Sequence, residues 1–416
     1  MPPQHTHELL IVLLVAALAP FFNELPIRLR LPLVVLELLF GVVIGPQVLD
    51  LVDNHGSLKT LSALGMSFLF FLAGMDLDFA KLRGRPLRQG ALGWMLSISV
   101  ALALTSALYA AGLASDPVLV AVALSTTAIG TLLPILRQAG VIETAFGRFV
   151  LGAGTIGEFG PIVLFSLIIT GDEGVAVRSG LLATFVFIAL ACATVALRLR
   201  PPHVIELLSR ELQSTSQLPV RLSMLLLGGL VVLADVLGLD ILLGAFAAGS
   251  LVGLVARGPG AEPFRQKLDA LGFGFLIPIF FVMSGSQVDL AAFFASPSNL
   301  VRVPLLLMLL LIVRGGPALL LYRRDLAARE CRLLALFSAT TLPLVVVITE
   351  IGKATGRMLP ENAAAMVGAG ILSVLLFPLI ALSLRARDQP DGGAHASTSS
   401  SFDELRRAGT QARHRE

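Results

Sequence analysis

Two ionisable residues lie deep inside apolar stretches of this sequence, Glu158 and Arg314. An ionised side chain at the middle of a bilayer costs about 2.5–3.5 kcal/mol on insertion scales, so each needs a physical reason to be there. If each apolar stretch is a helix, Glu158 lies about 15 Å from one end of its own stretch, and Arg314 lies about 10 Å from one end of its own. Small and helix-breaking neighbours flank Glu158 in the segment GAGTIGEFGP (152–161), which leaves space beside its carboxyl group.

Two interpretations of these charges are open. In a structural one, Glu158 and Arg314 form a buried ion pair that locks the helices together. In a functional one, Glu158 binds either a proton or a small cation, and Arg314 supports the site electrostatically. Burial favours the protonated carboxyl group and a nearby positive charge favours the ionised one, so this group can hold a proton or a cation but not both. The sequence favours the functional interpretation.

A second set of candidate residues combines hydroxyl groups with helix breakers in two apolar segments. Proline removes a backbone donor and glycine weakens a helix, so unwound carbonyls become available to ions. We predict that the proton or cation is bound by Glu158, Ser125, Thr126 and Thr127. We predict that two broken helices cross at Gly130, Pro134, Thr340, Thr341 and Pro343. These residue types are also common where membrane helices simply pack, so a packing role stays open for either segment alone.

The composition indicates the scaffold that must position these groups. Of the 416 residues, 56% are hydrophobic and 14% are charged, whereas a soluble protein has about 25% charged residues. This excludes a soluble enzyme, a nucleic-acid-binding protein and a disulfide scaffold, and it indicates an all-α polytopic membrane protein. The cysteines and histidines lack metal-ligand spacing, so we expect no fixed metal site, no cofactor and no catalytic residues.

A membrane-crossing helix needs about 20 mostly apolar residues, and we predict thirteen spans. They are 8–22, 32–46, 60–76, 91–113, 117–136, 148–169, 179–197, 222–237, 241–256, 270–286, 300–321, 332–352 and 363–384. Lys and Arg concentrate in alternate loops, which predicts an N-terminal tail (1–7) outside and a disordered tail (385–416) in the cytoplasm. Acidic residues near the ends of the spans, such as Asp240 and Glu350, are expected to be wetted.

The transmembrane domain (8–384) contains an internal repeat. GVVIG (41–45) corresponds to GSLVG (249–253), and LGMSFLFFLAGMDL (64–77) corresponds to LGFGFLIPIFFVMSGSQVDL (271–290). Corresponding spans lie an odd number of spans apart, so the two copies cross the bilayer in opposite directions. We predict repeat 1 at about 8–169, a linker helix at 179–197 and repeat 2 at about 222–384. Inverted repeats with interrupted helices are typical of secondary transporters.

In this order and spacing the motifs resemble the monovalent cation:proton antiporter-2 family, the Kef-type and sodium/proton exchanger group. The motifs that carry the resemblance are LPLVVLELLFGVVIGP (31–46), LGMSFLFFLAGMDLDF (64–79), ALSTTAIGTLLPILRQAG (123–140), GLDILLGAFAAGSLVG (238–253), LVGLVARG (251–258), FLIPIFFVMSGSQVDL (275–290), SATTLPLVVVITEIG (338–352) and AAMVGAGILSVLLFPLIAL (364–382). The resemblance implies the sodium/proton antiporter fold, a homodimer in the cell membrane, and elevator-like exchange of Na⁺ or K⁺ for protons. The family's ion site has an acidic pair, or an amide followed by an acid, at the positions of Gly157 and Glu158 in this chain. At the position of Arg314 the family has a basic residue, usually Lys.

One carboxylate in place of two predicts exchange of one proton for one cation, an electroneutral cycle. Two alternatives use the same scaffold: a symporter for an anion or small organic acid bound by Arg314, and a non-transporting sensor or channel. A membrane-embedded enzyme is disfavoured because the sequence contains no HExxH and no paired midplane aspartates.

Overall fold

The computed structural model describes residues 3–24, 32–53, 55–76, 84–112, 116–142, 144–168, 175–198, 216–256, 261–288 and 297–386. This part of the chain folds into helices and turns and contains no β-strand. The helices of the first half are α1 (Pro3–Glu24), α2 (Leu33–Ile44), α3 (Gly56–Met75), α4 (Arg85–Ala110), α5 (Pro117–Leu124), α6 (Ile129–Gln138), α7 (Ala145–Ile168) and α8 (Val175–Arg198). Those of the second half are α9 (Leu218–Val236), α10 (Ile241–Val255), α11 (Ala261–Leu271), α12 (Ile277–Ser286), α13 (Pro297–Leu310), α14 (Gly316–Leu321), α15 (Ala328–Ser338), α16 (Pro343–Ala354) and α17 (Pro360–Ala386).

Each predicted span coincides with one described helix or with consecutive helical pieces. Eight helical stretches of the described chain are long and apolar enough to cross a membrane, and five shorter apolar helices accompany them. The all-helical membrane class is therefore confirmed. The first helix begins at Pro3, inside the predicted N-terminal tail. The predicted tail from residue 387 onward lies outside the described residues.

Two of the predicted spans are interrupted in the middle. Helix α5 ends at Leu124 and α6 begins at Ile129, and helix α15 ends at Ser338 and α16 begins at Pro343. At the first break, the hydroxyl groups compete with helix continuation by bonding to carbonyls of their own last turn. Ser125 Oγ donates to Val122 O at 2.8 Å, and Thr126 Oγ1 donates to Ala123 O at 2.7 Å. At the second break, Pro343 starts the new helix, where its missing N–H costs nothing.

Two other spans contain a widened, π-helical turn. One turn covers Gly272–Leu276 between α11 and α12, and the other covers Leu311–Gly315 between α13 and α14. A proline follows each turn closely, Pro278 in the first span and Pro317 in the second. Because a proline cannot donate a hydrogen bond and clashes with the carbonyl four residues earlier, the preceding turn widens. Arg314 lies within the second widened turn.

Glycines bring two pairs of helices into backbone contact. A Cβ added at any of four glycines would overlap a carbonyl oxygen of the facing helix. The pairs are Gly41 with Val282 and Gly285 with Leu38 between α2 and α12, and Gly249 with Phe71 and Gly74 with Phe246 between α10 and α3. In a bilayer, where lipid is as apolar as leucine, such close approach is a main source of helix association.

Acidic residues at the helix ends behave differently from one another. Asp76 at the end of α3 is partly exposed and forms an ion pair with Arg265. The expectation that water covers Asp240 is wrong, because this residue is only 5% exposed. It precedes α10 and accepts a hydrogen bond from the Leu242 N–H at 2.8 Å, so it is a buried helix cap.

The Gly249→Ala substitution tests the backbone contact between α3 and α10. The added methyl group would overlap the Phe71 carbonyl oxygen, so we expect a loss of about 1–3 kcal/mol of stability, the usual cost of overpacking. The measurement is the thermal unfolding midpoint of the purified protein in detergent. Gly228→Ala is the matched control, since no atom lies within 4 Å of the Cβ position at Gly228. Equal midpoints for the two variants would contradict the argument.

Candidate ion-binding site

The two interruptions cross and bond to each other. The Ala128 N–H donates to the Thr340 carbonyl oxygen at 2.9 Å. The hydroxyl groups of Thr126 and Thr341 lie 2.5 Å apart and share a hydrogen bond. A third element joins them, because the Thr127 N–H donates to the Gly157 carbonyl oxygen of α7 at 2.9 Å. Two unwound segments and one unbroken helix therefore meet at one point inside the bundle.

Glu158 lies on α7 beside this crossing and is only 6% exposed. Its carboxylate faces the backbone N–H of Ile129, the first residue of α6. The N-terminal end of a helix carries a partial positive charge, which stabilises a carboxylate there. The second carboxylate oxygen, Oε2, is buried and has no hydrogen-bond partner in the described part of the protein. A buried oxygen without a partner is rare in native structures and is a position where a proton or an ion can bind.

Arg314 also lies at the crossing and is 4% exposed. Its Nε and Nη2 atoms donate to Thr127 Oγ1 at 2.9 and 2.7 Å. Further bonds reach Ser97 Oγ from Nη1 and the Ala153 carbonyl from Nη2, both at 3.2 Å. Nε also lies 3.4 Å from the Ser338 carbonyl at the C-terminal end of α15, the partially negative end of that helix.

The two buried charges do not pair with each other. No ion pair within 4.0 Å joins Glu158 to Arg314, although the structure describes both residues. Each charge instead faces a helix end of opposite polarity, the carboxylate at α6 and the guanidinium at α15. The interpretation of the two residues as a structural ion pair is therefore wrong.

The structure brings most of the predicted site residues together, with two exceptions. Ser125, Thr126, Thr127, Thr340 and Thr341 are fully or almost fully buried in the interruptions, and Pro343 is the first residue of α16. Gly130 and Pro134 lie within α6 and not in the break itself.

Sequence reasoning missed two buried serines. Ser97 on α4 accepts from Arg314, and Ser373 on α17 bonds to both the N–H and the carbonyl of Thr341 at 3.0 and 2.8 Å. Ser97 shares its helix with Ser99, Thr105 and Ser106, and Ser373 shares its helix with Ser383, so residue type alone does not single out either serine.

The absence of a side chain at Gly157 has a direct steric reason. A Cβ at this position would overlap Arg314 Nη2 and would lie 2.7 Å from Thr127 Oγ1. The guanidinium group therefore occupies the space that any side chain at position 157 would need. The absence of a first acidic or amide residue is thus coupled to the presence of Arg314 at the crossing.

Apolar helices around two crossed, interrupted helices with buried charges define a polytopic membrane transporter. The chain belongs to the sodium/hydrogen exchanger family, because the family's sequence model, which describes the transmembrane part of these proteins, matches residues 12–382. The resemblance noted from the motifs is therefore confirmed, and proteins of this kind are transporters and not enzymes.

Individual relatives agree with this family. The chain is 29% identical over 405 residues to the "Putative Na(+)/H(+) antiporter YjbQ" of Bacillus subtilis strain 168, covering 92% of this chain and 63% of that protein. It is 24% identical to the "Probable Na(+)/H(+) antiporter 3" of Methanocaldococcus jannaschii, covering 85% of this chain and 90% of the relative. The solved sodium proton antiporter MjNhaP1 of the same archaeon shares the fold, with a TM-score of 0.64 at 15% identity over 92% of this chain and 97% of that one.

The Gly157→Ala substitution tests the steric coupling to Arg314. The methyl group displaces the guanidinium from Thr127, so we expect cation-dependent proton flux in proteoliposomes to fall by about tenfold or more, as for other small misplacements at a site. Adding Arg314→Lys should recover part of the flux, because the lysine side chain lacks the Nη2 atom that the methyl group meets.

Gly130→Ala serves as the control for that experiment. It lies on the neighbouring helix α6, and no atom is within 4 Å of its Cβ position, so flux should stay close to that of the wild type. A Gly157→Ala protein with full flux would show that Arg314 does not need its observed position.

Proposed function

We propose that this chain exchanges a monovalent cation, Na⁺ or K⁺, for a proton across the cell membrane, and that Glu158 carries the two in turn. The observation that carries the proposal is the buried Oε2 atom of Glu158, which has no hydrogen-bond partner in the described part of the protein. A proton on this oxygen and a cation beside it are alternative ways to neutralise the carboxylate. Because both need the same oxygen, binding of one excludes the other.

The crossing supplies further oxygens for the cation. Ser125 Oγ donates its proton to a carbonyl of α5 and keeps its lone pairs as acceptors. Thr126 Oγ1 also donates to α5 and accepts from Thr341 Oγ1, which leaves it one lone pair. The hydroxyl of Thr127 is already engaged, since it donates to the Ser338 carbonyl at 2.5 Å and accepts twice from Arg314. We therefore assign Ser125 and Thr126 to the cation and Thr127 to the positioning of Arg314.

Arg314 supports an electroneutral cycle. A guanidinium group keeps its proton in proteins, so Arg314 contributes a fixed charge and does not carry a transported proton. One carboxylate then remains to alternate between proton and cation, and one proton crosses for each cation.

The alternative of anion symport is disfavoured by the same side chain. All three nitrogens of Arg314 donate to protein oxygens, from Ser97, Thr127, Ala153 and Ser338. An anion at this site would have to displace bonds that also hold the crossing together.

Elevator-like motion of one helix group against another is part of the proposal. The glycine contacts support an inverted repeat, because Gly41 on the Val282 carbonyl and Gly249 on the Phe71 carbonyl are equivalent contacts in the two predicted copies. Asp116 at the start of α5 and Arg357 after α16 form an ion pair at 2.7 Å, which links the two interrupted spans to each other. The homodimer, the outside N-terminus and the cytoplasmic C-terminus remain proposals that rest on the resemblance and on the charge pattern.

The names of the relatives support the exchanged pair of ions. Several are called Na(+)/H(+) antiporters. This chain spans 63% of the length of the Bacillus subtilis relative, so the activity of that whole protein comes to this chain only as a proposal.

The Glu158→Gln substitution tests the carrier role. Glutamine keeps the size of the side chain but cannot exchange a proton for a cation, so exchange in vesicles with an imposed pH gradient should fall to background. Asp235→Asn is the control, because Asp235 is exposed at the end of α9 and should leave exchange unchanged. Normal exchange by Glu158→Gln would refute the assignment.

The electroneutral cycle is tested by clamping the membrane voltage of proteoliposomes with K⁺ and valinomycin, with Na⁺ as the driving ion. One-for-one exchange moves no net charge, so the initial rate should not change when the clamped voltage is moved by 100 mV, a step worth about 2.3 kcal/mol per transported charge. A rate that follows the voltage would show that net charge crosses.

A further inference from the structure

A small cavity with polar and apolar lining residues lies away from the crossing, between the end of α12, the second half of α16 and the start of α17. Its volume is about 10 Å³, which is room for one group the size of a water molecule. The polar side chains that line it are Ser284, Gln287, Thr349, Glu350 and Lys353, and the remaining lining residues are alanines and valines. A single small polar occupant would fill this space.

The environment of Ser284 indicates such an occupant. The residue is 3% exposed, and its Oγ atom is buried with no hydrogen-bond partner in the described part of the chain. The hydroxyl lies beside the Glu350 carboxylate, outside normal hydrogen-bond geometry. An unsatisfied buried hydroxyl is costly unless something that is bound there completes its coordination.

Glu350 is equally short of partners. It accepts one long hydrogen bond, 3.5 Å from Gln287 Nε2. Among the described residues, Lys353 is the only other charged side chain that lines the cavity, and it donates to the Gln287 backbone carbonyl at 3.1 Å. No ion pair within 4.0 Å joins Lys353 to Glu350, both of which the structure describes. The Glu350 carboxylate and the Ser284 hydroxyl therefore both line the cavity.

We propose that this cavity is a second binding site for the monovalent cation, held by Glu350, Ser284 and Thr349. Hard cations prefer such oxygen ligands, and Thr349 Oγ1 keeps its lone pairs because it donates its proton to the Val346 carbonyl at 2.8 Å. The nearby ammonium group of Lys353 weakens binding by repulsion, which suits a site that must release its ion quickly. The proposal rests on the proposed exchange function and adds a loading position to it.

The position of the cavity fits this role. Helix α16 begins at Pro343, directly after the crossing, and Glu350 is seven residues further on. At the helical rise this is a separation of about 10 Å along the axis. The charge pattern of the loops predicts that this end of α16 faces outside, which would place the cavity on the outer side of the crossing.

The test measures cation binding without transport. Full-length protein that carries Glu158→Gln, and therefore lacks the carrier carboxylate, is heated in detergent at constant ionic strength with increasing NaCl or KCl in place of choline chloride. We expect the unfolding midpoint to rise and saturate with the cation. Glu350→Gln in the same protein should abolish the rise, and Ser284→Ala should increase the half-saturating concentration by about tenfold, the effect of losing one bond to a charged group.

Two matched controls separate binding from folding. Ser286→Ala removes a hydroxyl from the same helix that already bonds to the Met283 carbonyl at 2.7 Å, so it should leave the half-saturating concentration unchanged. Glu361→Gln removes a carboxylate that belongs to an ion pair with Arg302 and does not line the cavity, and it should also leave cation binding unchanged. Ser284→Ala loses no hydrogen bond, so the variant should fold normally.

The outcomes are distinct from those for the carrier. Cation stabilisation that is absent in the Glu158→Gln protein, or that Glu350→Gln and Ser284→Ala leave unchanged, overturns the second site. In the otherwise wild-type protein, Ser284→Ala should raise the KM for cation added on the outer face by about tenfold while the maximal rate stays within about twofold. Failure of the carrier assignment appears instead as normal exchange by Glu158→Gln.

Discussion

The compensation of two buried charges by helix ends is the interaction on which the site depends. Glu158 faces the N-terminal end of α6, and Arg314 faces the C-terminal end of α15. Both ends exist only because the two helices are broken in the interior of the bundle. An ion pair between the two residues would instead have compensated each charge with the other. The breaks therefore stabilise both charges while they leave one carboxylate oxygen free.

The same arrangement explains the residues around it. Thr127 Oγ1 donates one hydrogen bond to the Ser338 carbonyl and accepts two from the guanidinium group of Arg314. This position therefore needs a hydroxyl group. Gly157 leaves the space that the guanidinium fills. The backbone hydrogen bond from the Ala128 N–H to the Thr340 carbonyl joins the two interruptions directly. The steric fit at position 157 links the single carboxylate at the crossing to the presence of Arg314.

Much of the scaffold could be predicted from the sequence because its causes are local. Apolar runs set the helices, and the clusters of Ser, Thr and Pro set the two breaks. The relation of Glu158 to Arg314 could not be predicted, because depth in a span gives no direction around the helix axis. Gly130 and Pro134 were assigned to a break for their residue types, but the hydroxyls of Ser125 and Thr126 end the helix earlier. Asp240 was expected to be wetted, yet its capping bond to the next helix allows it to be buried.

The widened turn at Leu311–Gly315 also affects how the rest of its span can be read. Such a turn holds one residue more than an α-helical turn, and each residue advances a regular helix by about 100°. The residues after it, Gly316–Leu321, are therefore rotated by about that angle from the phase set by Pro297–Leu310. A helical wheel drawn through the whole span would assign the wrong lipid-facing side to its last turns. Comparison of this span with a relative that lacks the extra residue requires a one-residue gap next to Arg314.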